Sequence, residues 1–303
     1  MQWFFLEKLW SRSLNSKQQE DTSTWNQELE VLYQLGISME ETLQYLYFHK
    51  PDFPAFQNWI LQNKEEIINS DLEKREEVLS GEDLEFWDEN GYVVIKNAVS
   101  AEGCRAAQDA IYDFLNMDPN NKETWYKRHP EQKGLMVNFS NHPALNKNRA
   151  SLRIQKAYEQ LYNSTRIYKT IDKISFNPPE CENFKFLGSK LHWDVSLKLP
   201  IPFAMQGLLY LTDCKENEGA FHCVPGFHNK IEHWMKELQT ADNPRAVAER
   251  TLKPKAITGN AGDFIIWHQG LPHCATPNRG STPRLVQYLT YRPENYTENP
   301  EWI

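Results

Sequence analysis

Apolar positions near the start of the chain recur at helical spacing. Trp25, Leu29, Leu32 and Leu35 fall three or four residues apart and stop before Gly36, with Thr24 and Gln27 placed as a capping box. Ser38 with Glu41 opens a second helix carrying Leu43 and Leu46, and Pro51 must end it. A third starts at Pro54 and shows Phe56, Trp59 and Ile60. Residues 1–66 are therefore predicted as a small helical bundle. Residues 67–82, dense in Lys and Glu, are predicted as a charged linker or solvated helix.

From Asp83 the pattern changes, and 83–303 reads as the main domain. Asp83–Asn90 is a helix closed by Gly91, Tyr92–Ile95 a strand, and Ser100 caps a helix running to about Leu115. The stretch 120–150, rich in Asn, Lys, Pro and His, is predicted as loop. Short β-type runs then recur at 167–176, 186–194, 204–212, 220–224, 254–258, 263–268 and 284–291. Gly, Pro and Asn turns separate them, which predicts an α+β to mainly β fold, a sandwich or jelly roll with its core at about 166–292.

Composition narrows the function. A chain of 303 residues with 40% hydrophobic and 24% charged residues can bury a sizeable core, and its net charge of -8 argues against nucleic acid as the partner. No apolar run reaches the length of a membrane span. Met1–Leu6 is apolar but Glu7 and Lys8 interrupt it, and it lacks the marks of a signal peptide; an exposed, sticky helix is the remaining reading. Five cysteines, odd in number and without C-x-x-C spacing, predict reduced thiols and a cytoplasmic location.

The chemistry sits between residues 192 and 284. On a strand, His192 and Asp194 share one face and Trp193 takes the other. One short segment thus offers an imidazole and a carboxylate, and a third ligand must come from elsewhere. His273 and His268 both qualify by spacing. Two imidazoles and a carboxylate suit a divalent first-row metal, zinc as well as iron. Arg284, eleven positions after His273, opens a β-run and offers a fork for a carboxylate, a shape that 2-oxoglutarate would fit.

The stretch from about Asp83 to Pro293 resembles the phytanoyl-CoA dioxygenase-like family of Fe(II)/2-oxoglutarate oxygenases. Phe86–Val94, Leu191-His192-Trp193-Asp194, Gly219-Ala220-Phe221 with Val224–His228, Gly262-Asp263-Phe264, and the closing His273, Asn278 and Arg284 carry the likeness. It covers about two-thirds of the chain and leaves out residues 1–66. The resemblance implies a double-stranded β-helix (cupin-like jelly roll) with flanking helices. It implies Fe(II) on His192, Asp194 and His273, 2-oxoglutarate on Arg284, and O2 as oxidant. Related halogenases lack the carboxylate ligand; Asp194 is present, so hydroxylation of a small molecule, or another two-electron oxidation, with release of succinate and CO2 is the expected outcome.

Further candidates are weaker. Gln206 and Tyr210, evenly spaced on one strand, are placed at the co-substrate, and Trp193, Trp267 and His268 at a substrate pocket, although core roles suit all five. His222, His228 and His233 fall in a turn segment of the family and read as structural. Lys127, Arg128, Lys133, Lys147, Arg149 and Arg153 would suit an anionic or carrier-tethered substrate, or form a solvated loop. Two rival functions use the same residues: a metal-dependent cupin-like lyase or isomerase, and a non-catalytic binding module. Residues 1–66 are a candidate surface for a protein partner.

Overall fold

A computed structural model describes residues 2–14, 24–64, 76–239, 242–299 and 301–303. Most of the predicted charged linker lies outside the described residues. The chain forms two units, Met1–Arg75 with Tyr168–Ile171, and Glu76–Ile167 with Asp172–Ile303.

The first unit holds α1 (Gln2–Leu14), α2 (Trp25–Gln34), α3 (Met39–His49) and α4 (Phe53–Asn63). Three of these follow the predicted periodicity. The fourth, α1, is the opening apolar segment, and it is not an exposed sticky helix: Leu6 and Leu9 are buried with Leu32, Leu46, Phe56 and Ile60. Each such side chain contributes roughly 1.5–3 kcal/mol of burial. Ser38 and Asp52 cap α3 and α4 through Glu41 and Ala55 N–H groups. The capping box expected at Thr24 does not form. Its hydroxyl donates to the Glu28 carboxylate at 2.8 Å, a charged acceptor that outcompetes the backbone. Glu28 is fully buried and is gripped by both terminal nitrogens of Arg12.

The second unit runs α5 (Gly81–Asn90), β1 (Tyr92–Ile95), α6 (Ala101–Leu115), β2 (Gln132–Lys133), β3 (Met136–Val137), α7 (Pro143–Arg149), α8 (Leu152–Tyr162), β4 (Ile167–Lys169), β5 (Ile174–Asn177), β6 (Met205–Tyr210), β7 (Phe221–Cys223), α9 (Ile231–Glu237), α10 (Pro244–Thr251), β8 (Lys255–Ile257), β9 (Phe264–His268), β10 (His273–Ala275), β11 (Arg284–Tyr288) and β12 (Tyr291–Pro293). The large antiparallel sheet has the order β1-β9-β6-β11-β5-β3-β2, and a smaller sheet has β10-β7-β8. Non-consecutive neighbours are what a jelly roll requires.

Period-two alternation gives the large sheet two different faces. Val93, Ile95, Ile174, Phe176, Met205, Leu209, Phe264, Ile266 and Leu285 pack on α6 and α8. Leu208, Tyr210, Ile265, Trp267 and Val286 turn the other way and meet Phe221, Cys223 and Ile257 of the small sheet. At the turn before β9, Gly262 has φ +95°, and a Cβ there would lie 2.4 Å from the Val99 carbonyl.

Two predicted segments differ. Residues 186–194 form no strand; only His192 bridges, to His273. Ser189 meets Ala275 and His192 meets His273, so three steps on one side oppose two on the other, as in a β-bulge, with Gly188 at φ +88° just before. The predicted loop 120–150 contains β2, β3 and α7, the last started by Pro143 behind a His142 cap. Its Asn- and Lys-rich sequence hides spaced buried anchors, Trp125, Leu135, Val137, Phe139 and Leu145.

Removing one member of the buried pair in the helical unit strands a charge. Arg12→Ala is expected to destabilise that unit by ~3–5 kcal/mol in urea titrations of the full chain, and adding Glu28→Gln should recover much of the loss.

Candidate metal centre

His192, Asp194 and His273 place one ligand atom each within 4.8 Å of one another. The bridge between the two histidines does this: His192 N–H donates to the His273 carbonyl at 3.0 Å, and His273 N–H returns to His192 at 2.9 Å. His268, the rival third ligand, is not in the group. It sits one residue after Trp267 on β9, so alternation sends it to the opposite face.

Backbone carbonyls fix both rings. Nδ1 of His192 lies 2.7 Å from the Lys190 carbonyl and Nδ1 of His273 lies 3.2 Å from that of Leu271. A carbonyl only accepts, so each Nδ1 carries the proton and each Nε2 is left with a lone pair. Those Nε2 atoms face the Asp194 carboxylate at 3.6 and 3.1 Å. Burial, and the neighbouring His273, push the His192 imidazole below its ordinary value, so it is neutral at pH 7. Burial opposes ionisation of Asp194, but hydrogen bonding and positive charge from His273, then Gln206 and His192, outweigh it and hold the carboxyl well below the usual range; with both rings neutral, the Gln206 amide and a bound cation take over that role. Acceptors aimed at one point need a cation between them, and two imidazoles with a carboxylate match a first-row divalent metal.

Arg284 is 3% exposed, on the interior face of β11. Its Nε donates to the Gly219 carbonyl at 2.8 Å and Nη1 to the Ser175 hydroxyl at 3.1 Å. Both partners are neutral, and among the described residues no carboxylate pairs with it. A buried guanidinium in that state has the charge and hydrogen-bonding geometry to take an anion. Asn278 holds the preceding loop by donating to the Asn177 and Thr282 carbonyls at 2.9 and 2.8 Å. Sequence reasoning missed Ser175; its even spacing with Asn177 on β5, opposite Arg284, was the available signal.

The other candidates separate. Gln206 donates to Asp194 Oδ2 at 2.8 Å. Its Oε1 and the Trp267 Nε1 find no hydrogen-bond partner among the described residues, and the two residues are directly opposed on β6 and β9. Trp267 lies against His273, ring centroids 5.4 Å apart. Tyr210 donates its hydroxyl to the Ile257 carbonyl and accepts from Phe221 N–H, so it braces the interior wall. Trp193 packs on Phe227 and Trp234 with its N–H on the Gly270 carbonyl, away from the ligands. His268 instead neighbours Phe203 and His228. Of the basic stretch, Arg149 is buried and bonded to Asn146 and the Asp172 carbonyl, which removes it from any receptor surface.

The architecture is that of the cupin-like jelly rolls. The non-haem alpha-ketoglutarate-dependent carbocyclase SnoK of nogalamycin biosynthesis superposes with a TM-score of 0.54 at 20% identity, over 73% of this chain and 87% of that one. The epimerase SnoN, solved with Fe3+, alpha-ketoglutarate and nogalamycin RO, gives 0.51 at 17% identity, over 71% and 86%. A putative phytanoyl-CoA dioxygenase of Dictyostelium discoideum is 22% identical over 259 residues, 69% of this chain and 74% of its own. The sequence pattern of the phytanoyl-CoA dioxygenase (PhyH) family matches residues 87–286, and the chain belongs to that family. Among the described residues no helix is long and apolar enough to cross a membrane.

Burial, then the neighbouring His228, lowers the His268 imidazole to about 4. The unfolded chain protonates that ring near its ordinary value of about 6.5. Stability from the neutral ring is therefore complete above about 6.5 and declines as pH falls toward 4, by up to ~3 kcal/mol. His268→Asn, which keeps an acceptor for Gly270 N–H, should flatten that part of a stability–pH curve measured by denaturant titration.

Proposed function

We propose that the protein is an Fe(II)- and 2-oxoglutarate-dependent dioxygenase that hydroxylates a small molecule and releases succinate and CO2. The observation that carries this is the pairing, on one interior, of a His–Asp–His acceptor cluster with a buried arginine that has no carboxylate partner among the described residues. The cluster fits a divalent metal, and the arginine fits the far carboxylate of a dicarboxylic co-substrate. Bound iron with 2-oxoglutarate would supply oxidation of an unactivated C–H bond by O2.

The chain's own residues do the placing. His192 and His273 present their Nε2 atoms because the Lys190 and Leu271 carbonyls engage Nδ1 of each ring. Asp194 supplies the negative charge, and the Gln206 amide orients it. Ser175 accepts from Arg284 and so keeps its own hydroxyl proton to donate to a carboxylate beside it. The unsatisfied Trp267 N–H and Gln206 Oε1 give the same wall one donor and one acceptor for a bound molecule, next to aromatic surface from Phe221. A buried polar atom without a partner costs about 1–3 kcal/mol, which a ligand bearing the complementary groups returns.

The presence of a full carboxylate ligand favours hydroxylation over halide transfer. SnoK and SnoN carry the names carbocyclase and epimerase. The product of this chain is therefore the point to measure.

The test is succinate formation from 2-oxoglutarate, with and without Fe(II). Iron-dependent succinate is expected from the wild type. Asp194→Ala should abolish it, and Arg284→Ala should raise the KM for 2-oxoglutarate by at least ~10-fold with a smaller change in kcat. Metal uptake without succinate would favour a lyase or isomerase, and failure to bind both metal and 2-oxoglutarate a non-catalytic module.

A further inference from the structure

We propose that Arg245 is the positioning residue for the Asp194 carboxylate. The proposal rests on reading His192, Asp194 and His273 as a metal centre. Residues 193–198 belong to no strand, so no ladder fixes the backbone on either side of Asp194. Nothing in the sequence drew attention to Arg245.

The backbone is held from outside instead. Arg245 lies at the start of α10, behind the Asn243 cap and Pro244. Its Nη1 donates to the Trp193 carbonyl at 2.8 Å and its Nη2 to the Val195 carbonyl at 2.8 Å. The two carbonyls flank Asp194. A planar guanidinium holding both fixes the peptide unit before Asp194 and the one after Val195, and so restrains the two-residue stretch from which the Asp194 side chain projects. A lysine ammonium is a point charge and lacks the fork.

The fork is itself held. Nη2 also donates to the Ile303 backbone oxygen at 3.1 Å, and the Trp302 ring lies 4.9 Å from the guanidinium carbon. The Ser196 hydroxyl donates to the Glu301 carbonyl at 2.6 Å and Leu197 N–H to Ile303 at 3.2 Å. On the other side, Ala248 of α10 is fully buried in the interior cluster. The clamp is thus mounted on a packed helix and covered by residues 301–303.

The consequence lies in ligand order. The Asp194 side chain is 51% exposed, so core packing does not select its rotamer. Gln206 restrains the carboxylate and Arg245 restrains the backbone. Losing such an outer partner typically weakens metal binding by 10- to 100-fold.

Co(II) titration of the full chain, read by visible absorption, is the test. Arg245→Ala is expected to weaken Co(II) binding by ~10- to 100-fold and shift the spectrum toward that of Asp194→Ala. Arg245→Lys should recover part of the affinity and Trp302→Ala should lose less than Arg245→Ala. Asn243→Ala removes the α10 cap but leaves the fork, and should bind Co(II) as the wild type does. Unchanged affinity in Arg245→Ala, or an equal loss in Asn243→Ala, overturns the clamp. Should Arg245→Ala fail to fold, a folded Arg245→Lys with wild-type affinity and spectrum overturns it as well. Wild-type protein that takes up no Co(II) overturns the metal-centre reading itself, and the clamp with it.

Discussion

Two hydrogen bonds between the main chains of His192 and His273 bring together segments that are remote in sequence. Everything at the centre depends on them. One imidazole comes from an irregular segment and the other from β10, and without the bridge neither would face Asp194. Once bridged, both rings hand their Nδ1 protons to nearby carbonyls, and the outcome is electrostatically incomplete. Two lone pairs and a carboxylate meet, and the Gln206 amide is the donor that reaches the carboxylate among the described residues. That frustration has a physical solution in a divalent cation, and it is why the cluster reads as a centre and not as a polar network.

The second constraint is the two-residue period of the sheet. Along β9, Ile265 and Trp267 turn inward while Phe264, Ile266 and His268 turn to the helices. The same rule puts Gln206, Leu208 and Tyr210 on the inner side of β6, and Arg284 and Val286 on that of β11. A register slip of one residue would exchange the arginine for Leu285 and the tryptophan for a histidine. The apolar packing of the outer face on α6 and α8 therefore protects the chemistry of the inner face, since it penalises that slip.

Much of this was legible in the chain, for identifiable reasons. Caps at Ser38 and Ser100, the Gly91 stop and the alternating runs are local signals, and the elements follow them. Arg284 was visible because side-chain direction on strands needs only parity, whereas the His-x-Asp pair lies on no strand and was visible as a motif, not through the strand predicted for it. What stayed hidden depends on partners distant in sequence. The bulge that makes 189–192 irregular is set by its neighbour β10. The choice between His268 and His273 could not follow from spacing, because strand register decides it. The loss of the Thr24 capping box depends on Glu28, whose own burial depends on Arg12. Arg245 carried no motif at all, since its partners are main-chain carbonyls.

The distribution of unmet polar groups then argues for where a bound molecule lies. Other polar side chains on the interior face are answered by the fold, Tyr210 by Ile257 and Phe221 and Asn278 by Asn177 and Thr282, although buried atoms on other elements, such as Asn148 Oδ1, Glu159 Oε2 and His228 Nδ1, also find no partner among the described residues. Along the wall beside the ligands the answers stop. Gln206 Oε1 and Trp267 Nε1 lack partners, and Arg284 meets only neutral oxygens. Sequences that specify one structure satisfy buried polar groups, and departures concentrate at functional sites. The same stretch of interior gathers acceptors at one point and sets a guanidinium among neutral oxygens. A metal and a dicarboxylate together complete both, whereas a metal alone would leave Arg284 buried and uncompensated.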